Sequence, residues 1–96
     1  MGAMEKSIYT PEYTALRTEL RKLRQHAGLS QRQLARRLRV PHSWVAKVET
    51  GERRIDLVEF AWFASACGVA PFAALEQLLP RLTWKARPPM KGGRAK

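Results

Sequence analysis

Cysteine and histidine are scarce in this 96-residue chain, which has one cysteine, Cys67, and two histidines, His26 and His42. A single thiol excludes an internal disulfide and a cysteine-rich metal site, and it is typical of a reducing compartment. Neither histidine has a spaced carboxylate or cysteine partner of the kind that metal or nucleophilic chemistry needs. No glycine-rich phosphate loop is present. We therefore expect a cytoplasmic protein that is not an enzyme and holds no metal or cofactor.

Acidic residues are also few. The chain has 18 lysines and arginines but only 8 aspartates and glutamates, which gives a net charge of +10. This balance indicates a polyanionic partner, nucleic acid before membrane.

Long apolar runs are missing as well. The most apolar stretch, residues 57–79, is interrupted by Glu59, Gly68, Pro71 and Glu76. It is too broken for a membrane span and predicts two core helices instead.

The length allows one small domain, which we place at residues 10–80. Residues 1–9 are expected to be the remnant of an expression tag followed by a short arm. Residues 81–96 contain six basic and no acidic residues. Such a segment cannot bury enough apolar surface to order itself, so we expect a flexible basic tail. Trp84 lies within it, and its large apolar ring either docks on the domain or on a partner, or is exposed.

Helix start and stop signals divide residues 10–80 into five helices, and no segment alternates as a strand would. Thr10 and Pro11 open the first helix and Gly28 stops it. Ser30 with Gln33, and Asp56 with Glu59, form capping boxes that open the second and fourth helices. Val40-Pro41 forms the turn before the third helix, which Gly51 ends. Gly68 stops the fourth helix, and Pro71 and Pro80 bound the fifth.

The spacing of apolar residues predicts which face of each helix is buried. The first three helices turn these residues inward: Leu16, Leu20, Leu23, Ala27, Leu34, Ala35, Leu38, Val45 and Val48. The last two supply apolar mass through Leu57, Phe60, Ala61, Phe63, Ala64, Cys67, Phe72, Leu75, Leu78 and Leu79.

The charges are divided unevenly along the chain. Residues 17–54 contain eleven lysines and arginines and three acidic residues, whereas residues 57–79 contain two acidic residues and no lysine or arginine. A merely solvated face usually mixes both signs. Two short helices joined by a tight turn within this basic region are typical of a helix-turn-helix, whose second helix enters the DNA major groove.

The stretch from Leu23 to Gly51 resembles the lambda-repressor-like, Xre-type helix-turn-helix family. The resemblance rests on Ala27-Gly28-Leu29-Ser30-Gln31, Leu34-Ala35, and Val45-x-x-Val48-Glu49-x-Gly51 at fixed spacing. Phe60, Ala64 and Gly68-Val69 extend it, so that it covers roughly residues 16–79. It implies an all-α, compact five-helix domain that binds operator DNA as a dimer.

The resemblance also implies roles for individual residues. His42, Ser43 and Lys47 match positions that read base edges. Gln31 would contact a phosphate or brace a side chain of the recognition helix, and Glu49 matches a structural acidic residue. Trp44 either contacts DNA or packs back on the second helix. Phosphate contacts are expected from these residues: Gln31, Arg32, Arg53 and Arg54.

These inferences lead to a sequence-specific transcriptional regulator that acts as a dimeric repressor at a palindromic operator, with control of its own promoter as one option. Double-stranded DNA and a second copy of the chain are the expected partners, with no membrane. The apolar fourth and fifth helices are the expected subunit interface; the alternative is that all of this surface is internal core. Two other functions stay open. One is an antitoxin-type module whose last helices or tail bind and neutralise a partner protein, and the other is nonspecific nucleoid or RNA binding by charge.

Overall fold

The computed structural model describes residues 10–82, and this part of the chain consists of helices joined by short turns and loops, with no strand. The elements are α1 (Pro11–His26), α2 (Gln31–Leu38), α3 (His42–Thr50), α4 (Leu57–Ala66) and α5 (Pro71–Leu78), followed by a 3-10 turn (Leu79–Arg81). The predicted all-α, five-helix architecture is confirmed. The predictions for residues 1–9, for Trp84 and for the tail beyond residue 82 lie outside the described residues.

The capping signals act as the sequence predicted. The Thr10 hydroxyl accepts a backbone N–H of the first turn of α1 at 3.1 Å. In the Ser30 box the hydroxyl accepts the Gln33 N–H at 3.0 Å, and the Gln33 side chain accepts the Ser30 N–H at 2.8 Å. In the Asp56 box the corresponding distances to Glu59 are 2.7 and 3.1 Å. These bonds satisfy N–H groups that helix starts leave unpaired, and so they fix where α1, α2 and α4 begin.

All five helices contribute to one hydrophobic core. α1 packs against α3, α4 and α5, while α2 packs against α3 and α4. The buried cluster consists of Leu20, Leu23, Leu34, Ala35, Val45, Val48, Phe60, Phe63, Ala64, Cys67 and Ala74. Because α2 and α3 each turn one apolar face into this cluster, their opposite faces are left at the surface.

Three residues expected to supply apolar mass from the last two helices lie outside the core: Leu57, Phe72 and Leu79, the last of which is 41% exposed. Leu57 is 74% exposed and Phe72 is 72% exposed. Each is the first or second residue of its helix, where the chain has only just turned back onto the domain. Val58 and Trp62 on α4 are exposed as well. The alternative that all of this apolar surface is internal core is therefore wrong.

The turn between α2 and α3 starts one residue earlier than predicted. Arg39 adopts the left-handed conformation with φ 60° and ψ 44°. Its N–H and that of Val40 bond back to α2, the latter to the Ala35 carbonyl at 3.1 Å. The sequence carries no glycine or asparagine at this position to mark the reversal.

No single helix of residues 10–82 is long and apolar enough to cross a membrane. Helix α4 and the segment Pro71–Arg81 reach the length and apolar composition of a membrane span only when they are taken together, and the chain bends by 110° between them. Phe63, Ala64 and Ala74 of this pair belong to the core.

Candidate nucleic-acid interface

The exposed face of α3 is a continuous polar arc. At 100° per residue, positions three or four apart in this nine-residue helix lie on the same side of it. Val45, Val48 and Glu49 occupy the buried side. The arc contains the exposed polar residues His42, Ser43, Lys47 and Thr50, with the partly buried Ala46 among them. Three of the predicted base-reading residues therefore share one surface.

A fully buried carboxylate holds this helix in place. Glu49 accepts two hydrogen bonds from Arg24 of α1, at 2.6 Å from Nε and 3.0 Å from Nη2. It also accepts the Gln31 side-chain amide of α2 at 3.0 Å. Its hydrogen bond to Glu49 raises the pKa of Arg24, so the guanidinium is charged at every accessible pH. The C-terminal end of α3 is thereby tied to α1 and α2 by charge-assisted bonds.

The residue after α3 must be small. Gly51 is buried with φ +88°, a conformation that disfavours a side chain. A Cβ atom there would lie 3.1 Å from both Cδ and Nε of Arg17. Arg17 also donates to the Glu49 backbone carbonyl at 3.4 Å. The close passage of the chain beneath α1 therefore depends on this glycine.

The segment from Gly51 to Asp56 is held from two sides. Arg53 pairs with both carboxylate oxygens of Glu59, at 3.1 and 3.0 Å, and its guanidinium lies 5.0 Å from the centre of the Trp44 ring. On the other side, the Tyr13 hydroxyl accepts the Ile55 N–H at 3.1 Å. The Arg53 hydrogen bond lowers the pKa of Glu59, which keeps this pair ionised at neutral pH.

The arginines and lysines fall into two groups. One group makes contacts within the protein: Arg17, Arg21, Arg24, Arg37, Arg53, Arg54 and Arg81. The other group has exposed side chains that make no hydrogen bond, ion pair or ring contact with any described residue: Lys22, Arg32, Arg36, Arg39 and Lys47. Four of these five lie on α2, on the turn, or on α3. This end of the domain thus presents unpaired positive charge beside the polar arc.

Comparison with known proteins agrees with this geometry. Residues 15–78 match the family model described as a helix-turn-helix domain. A solved structure, an XRE-family like protein from Pseudomonas syringae pv. tomato str. DC3000, is 41% identical with a TM-score of 0.71, over 78% of this chain and 92% of that one. Curated protein sequences gave no significant match. The chain belongs to the Xre-type helix-turn-helix family. It is accordingly a lambda-repressor-like fold and a DNA-binding regulator in the general sense.

Within this helix-turn-helix the predicted site residues are found in different environments. His42, Ser43, Lys47 and Arg32 are exposed. Trp44 is partly buried against the core, with Arg53 stacked on its ring. These two therefore support each other at the edge of the arc.

Two further predicted residues make contacts with other residues of the domain. Gln31 donates to Glu49, so it braces a side chain of α3, which is one of the roles that the resemblance implies for it. Arg54 lies 5.4 Å from the centre of the Tyr13 ring.

Two cations of this surface were not singled out from the sequence. Arg36 could have been found because it lies four residues after Arg32, on the same exposed side of α2. Arg39 had no such signal, since its position depends on the left-handed turn.

Cys67 is buried, and burial raises its pKa to about 11. The prediction of a buried, small apolar side chain is confirmed. Within residues 10–82, no group of three or more His, Cys, Asp or Glu side chains is placed to hold a metal ion.

Proposed function

We propose that the protein is a sequence-specific transcriptional repressor that binds a palindromic operator as a homodimer. The observation that carries this proposal is the combination of an exposed polar arc on α3 with a rigid, buried anchor at Glu49. A helix that reads bases must present side chains that are free to bond, on a backbone that is held in place. The α3 helix meets both conditions.

The proposal assigns base reading to the arc. Lys47 would donate to guanine O6 or N7, and His42 and Ser43 would contact base edges near the N-terminal end of α3. Trp44 would meet the sugar-phosphate wall or a thymine methyl group with the part of its ring that Arg53 leaves uncovered.

Phosphate contacts would set the register of the helix on the duplex. Arg32 is exposed and unpaired, so it can bind a phosphate without losing a contact within the protein. Gln31, Arg53 and Arg54 would reach phosphates only by sharing or exchanging their present partners. We therefore rank Arg32 first among the predicted phosphate contacts.

Dimerisation would pass through the exposed apolar side chains of α4 and α5. Leu57 and Phe72 are about three-quarters exposed, and Trp62 is 60% exposed. Residues 57–79 contain no lysine or arginine, whereas most other surfaces would bring like charges together. Two copies joined in this way would present their recognition helices one duplex turn apart, about 34 Å.

A selection of bound sites from random DNA tests the proposal directly. We expect a motif with two inverted half-sites and a fixed spacing. Sedimentation of the free protein, and of Leu57→Glu and Phe72→Glu variants, tests the interface. We expect the variants to remain folded, because both side chains are exposed, and to dissociate at concentrations where the parent protein is dimeric. Recovery of no motif would refute sequence-specific binding.

The Lys47→Ala variant tests base reading. We expect it to lose about 1–3 kcal/mol on the selected site, and to discriminate less at one base pair. Lys22→Ala is the matched control, because Lys22 is an exposed, unpaired lysine on α1. An equal loss on random duplex would show that Lys47 contacts only phosphate.

The same exposed apolar side chains favour a second candidate, an antitoxin-type module that neutralises a partner protein. An apolar patch of this kind marks a protein-interaction surface whichever partner covers it. A free protein that stays monomeric at high concentration, yet binds its selected DNA only weakly, would favour this function over the homodimer.

A further inference from the structure

We propose that Arg39 is a phosphate-binding residue of the DNA interface, placed there by the left-handed turn between α2 and α3. The inference rests on the proposed DNA-binding function, and it adds Arg39 to the four phosphate contacts named from the sequence. It starts from the backbone conformation of this residue.

Arg39 is the single residue other than glycine with a positive φ in the described residues 10–82. The other three positions with positive φ are Gly28, Gly51 and Gly68. A side chain in this conformation crowds the following carbonyl, a crowding that glycine avoids. The fold therefore requires a left-handed residue here, and the sequence supplies an arginine where glycine or asparagine is usual. Such an outlier is a reason to look for a role of the side chain.

The side chain has no role within the described part of the protein. The Arg39 side chain is exposed and makes no hydrogen bond, ion pair or ring contact there. Its neighbour Arg37, by contrast, donates to the Ala66 carbonyl at 2.8 Å. Packing and internal pairing therefore give no reason for an arginine instead of a glycine.

One structural explanation competes with DNA binding, because a cation at the C-terminal end of α2 interacts favourably with the helix dipole. The last turn of α2 already contains two cations, Arg36 and Arg37. A third cation would add little, since they share the same helix end.

The position in the chain favours a phosphate. Arg39 lies three residues after the unpaired Arg36 and three before His42, the first residue of α3. It thus joins the exposed cations of α2 to the start of the recognition helix. Phosphates flank a helix inserted in the major groove on both sides, and arginine binds them bidentately.

The test compares Arg39→Gly, Arg39→Lys and Lys22→Ala with the parent protein. Each is titrated with the selected duplex and a random duplex of equal length from 50 to 300 mM salt, and thermal unfolding is followed in parallel. The slope of log K against log salt is negative, and one lost phosphate contact reduces its magnitude by about 0.9. Extrapolated from 1 M, that slope corresponds to a loss of about eightfold at 0.1 M salt.

We expect Arg39→Gly to show this loss on both duplexes and to unfold at a higher temperature than the parent, since glycine removes the crowding. Arg39→Lys should keep the salt slope, and Lys22→Ala should lose less than Arg39→Gly. The inference is overturned if Arg39→Gly keeps the parent slope, or if it loses no more than Lys22→Ala. A parent protein that binds neither duplex would refute the proposed function itself, whereas normal parent binding with an unchanged Arg39→Gly variant refutes this inference alone.

Discussion

Replacing Glu49 with glutamine should remove much of the stability of this domain. The change preserves the volume of the side chain and deletes its charge. Arg24, whose side chain is 13% exposed, would then face a neutral amide in place of the carboxylate that accepts two of its hydrogen bonds. The amide nitrogen of the new glutamine would also confront a donor, either Arg24 or Gln31.

The magnitude follows from the burial of the pair. Removing one partner of a buried, hydrogen-bonded ion pair costs about 3–5 kcal/mol, because the remaining charge is left in the interior without compensation. For a domain of this size, 1 kcal/mol shifts the melting temperature by about 4–8 °C. We therefore expect Glu49→Gln to melt roughly 12–40 °C below the parent.

Arg21 offers a matched control on the same carboxylate. Its Nε lies 3.7 Å from Glu49, but half of its side chain is exposed. Solvent screens such a pair, so Arg21→Ala should cost no more than about 1 kcal/mol. The two variants together separate buried from surface electrostatics at one site.

Thermal unfolding by circular dichroism measures these effects, and a double-mutant cycle with Arg24→Met and Glu49→Met apportions them. If each single change strands one buried partner, the double variant should be more stable than either single variant, with a coupling of about 2–3 kcal/mol. A Glu49→Gln protein that melts within about 3 °C of the parent would refute the reasoning. So would a double variant no more stable than the singles.

Three further changes test other parts of the structure. Leu34→Ala removes a fully buried side chain and should cost about 2–5 kcal/mol in unfolding free energy, whereas an unchanged melting curve would contradict the assigned face of α2. Because Arg53 lowers the pKa of Glu59, the stabilisation from this pair is present above the unfolded glutamate pKa and is lost as pH falls through the lowered value. The advantage of the parent over Glu59→Gln, measured by urea unfolding, should therefore shrink below about pH 4, and a constant difference would argue against the pair. Burial raises the pKa of Cys67 to about 11, so a thiol reagent at pH 7 should react only as fast as the domain opens, and rapid labelling of the native protein would contradict its burial.

The helices and their order can be predicted from the sequence alone. Ser30 with Gln33 and Asp56 with Glu59 satisfy backbone N–H groups within one turn, so these starts are local and readable from the chain. The apolar spacing within each helix, which predicts that Leu34 and Val45 are buried, likewise follows from helical periodicity alone. The basic excess in residues 17–54 identified the class of partner.

The contacts of each charged side chain depend instead on how the helices pack. Arg24 and Arg32 look alike in the sequence, yet Arg24 meets Glu49, 25 residues away, while Arg32 is exposed and unpaired in the described part of the chain. The same is true of apolar residues, since Leu57 is exposed and Phe60 is buried within a single turn of α4. Such differences depend on which helix packs beside a residue, and residues distant in sequence settle that through the core. Hence the sequence indicates a DNA-binding surface, whereas the packing of α1, α2 and α3 separates the arginines that make contacts within the domain from the exposed arginines that we propose as DNA contacts.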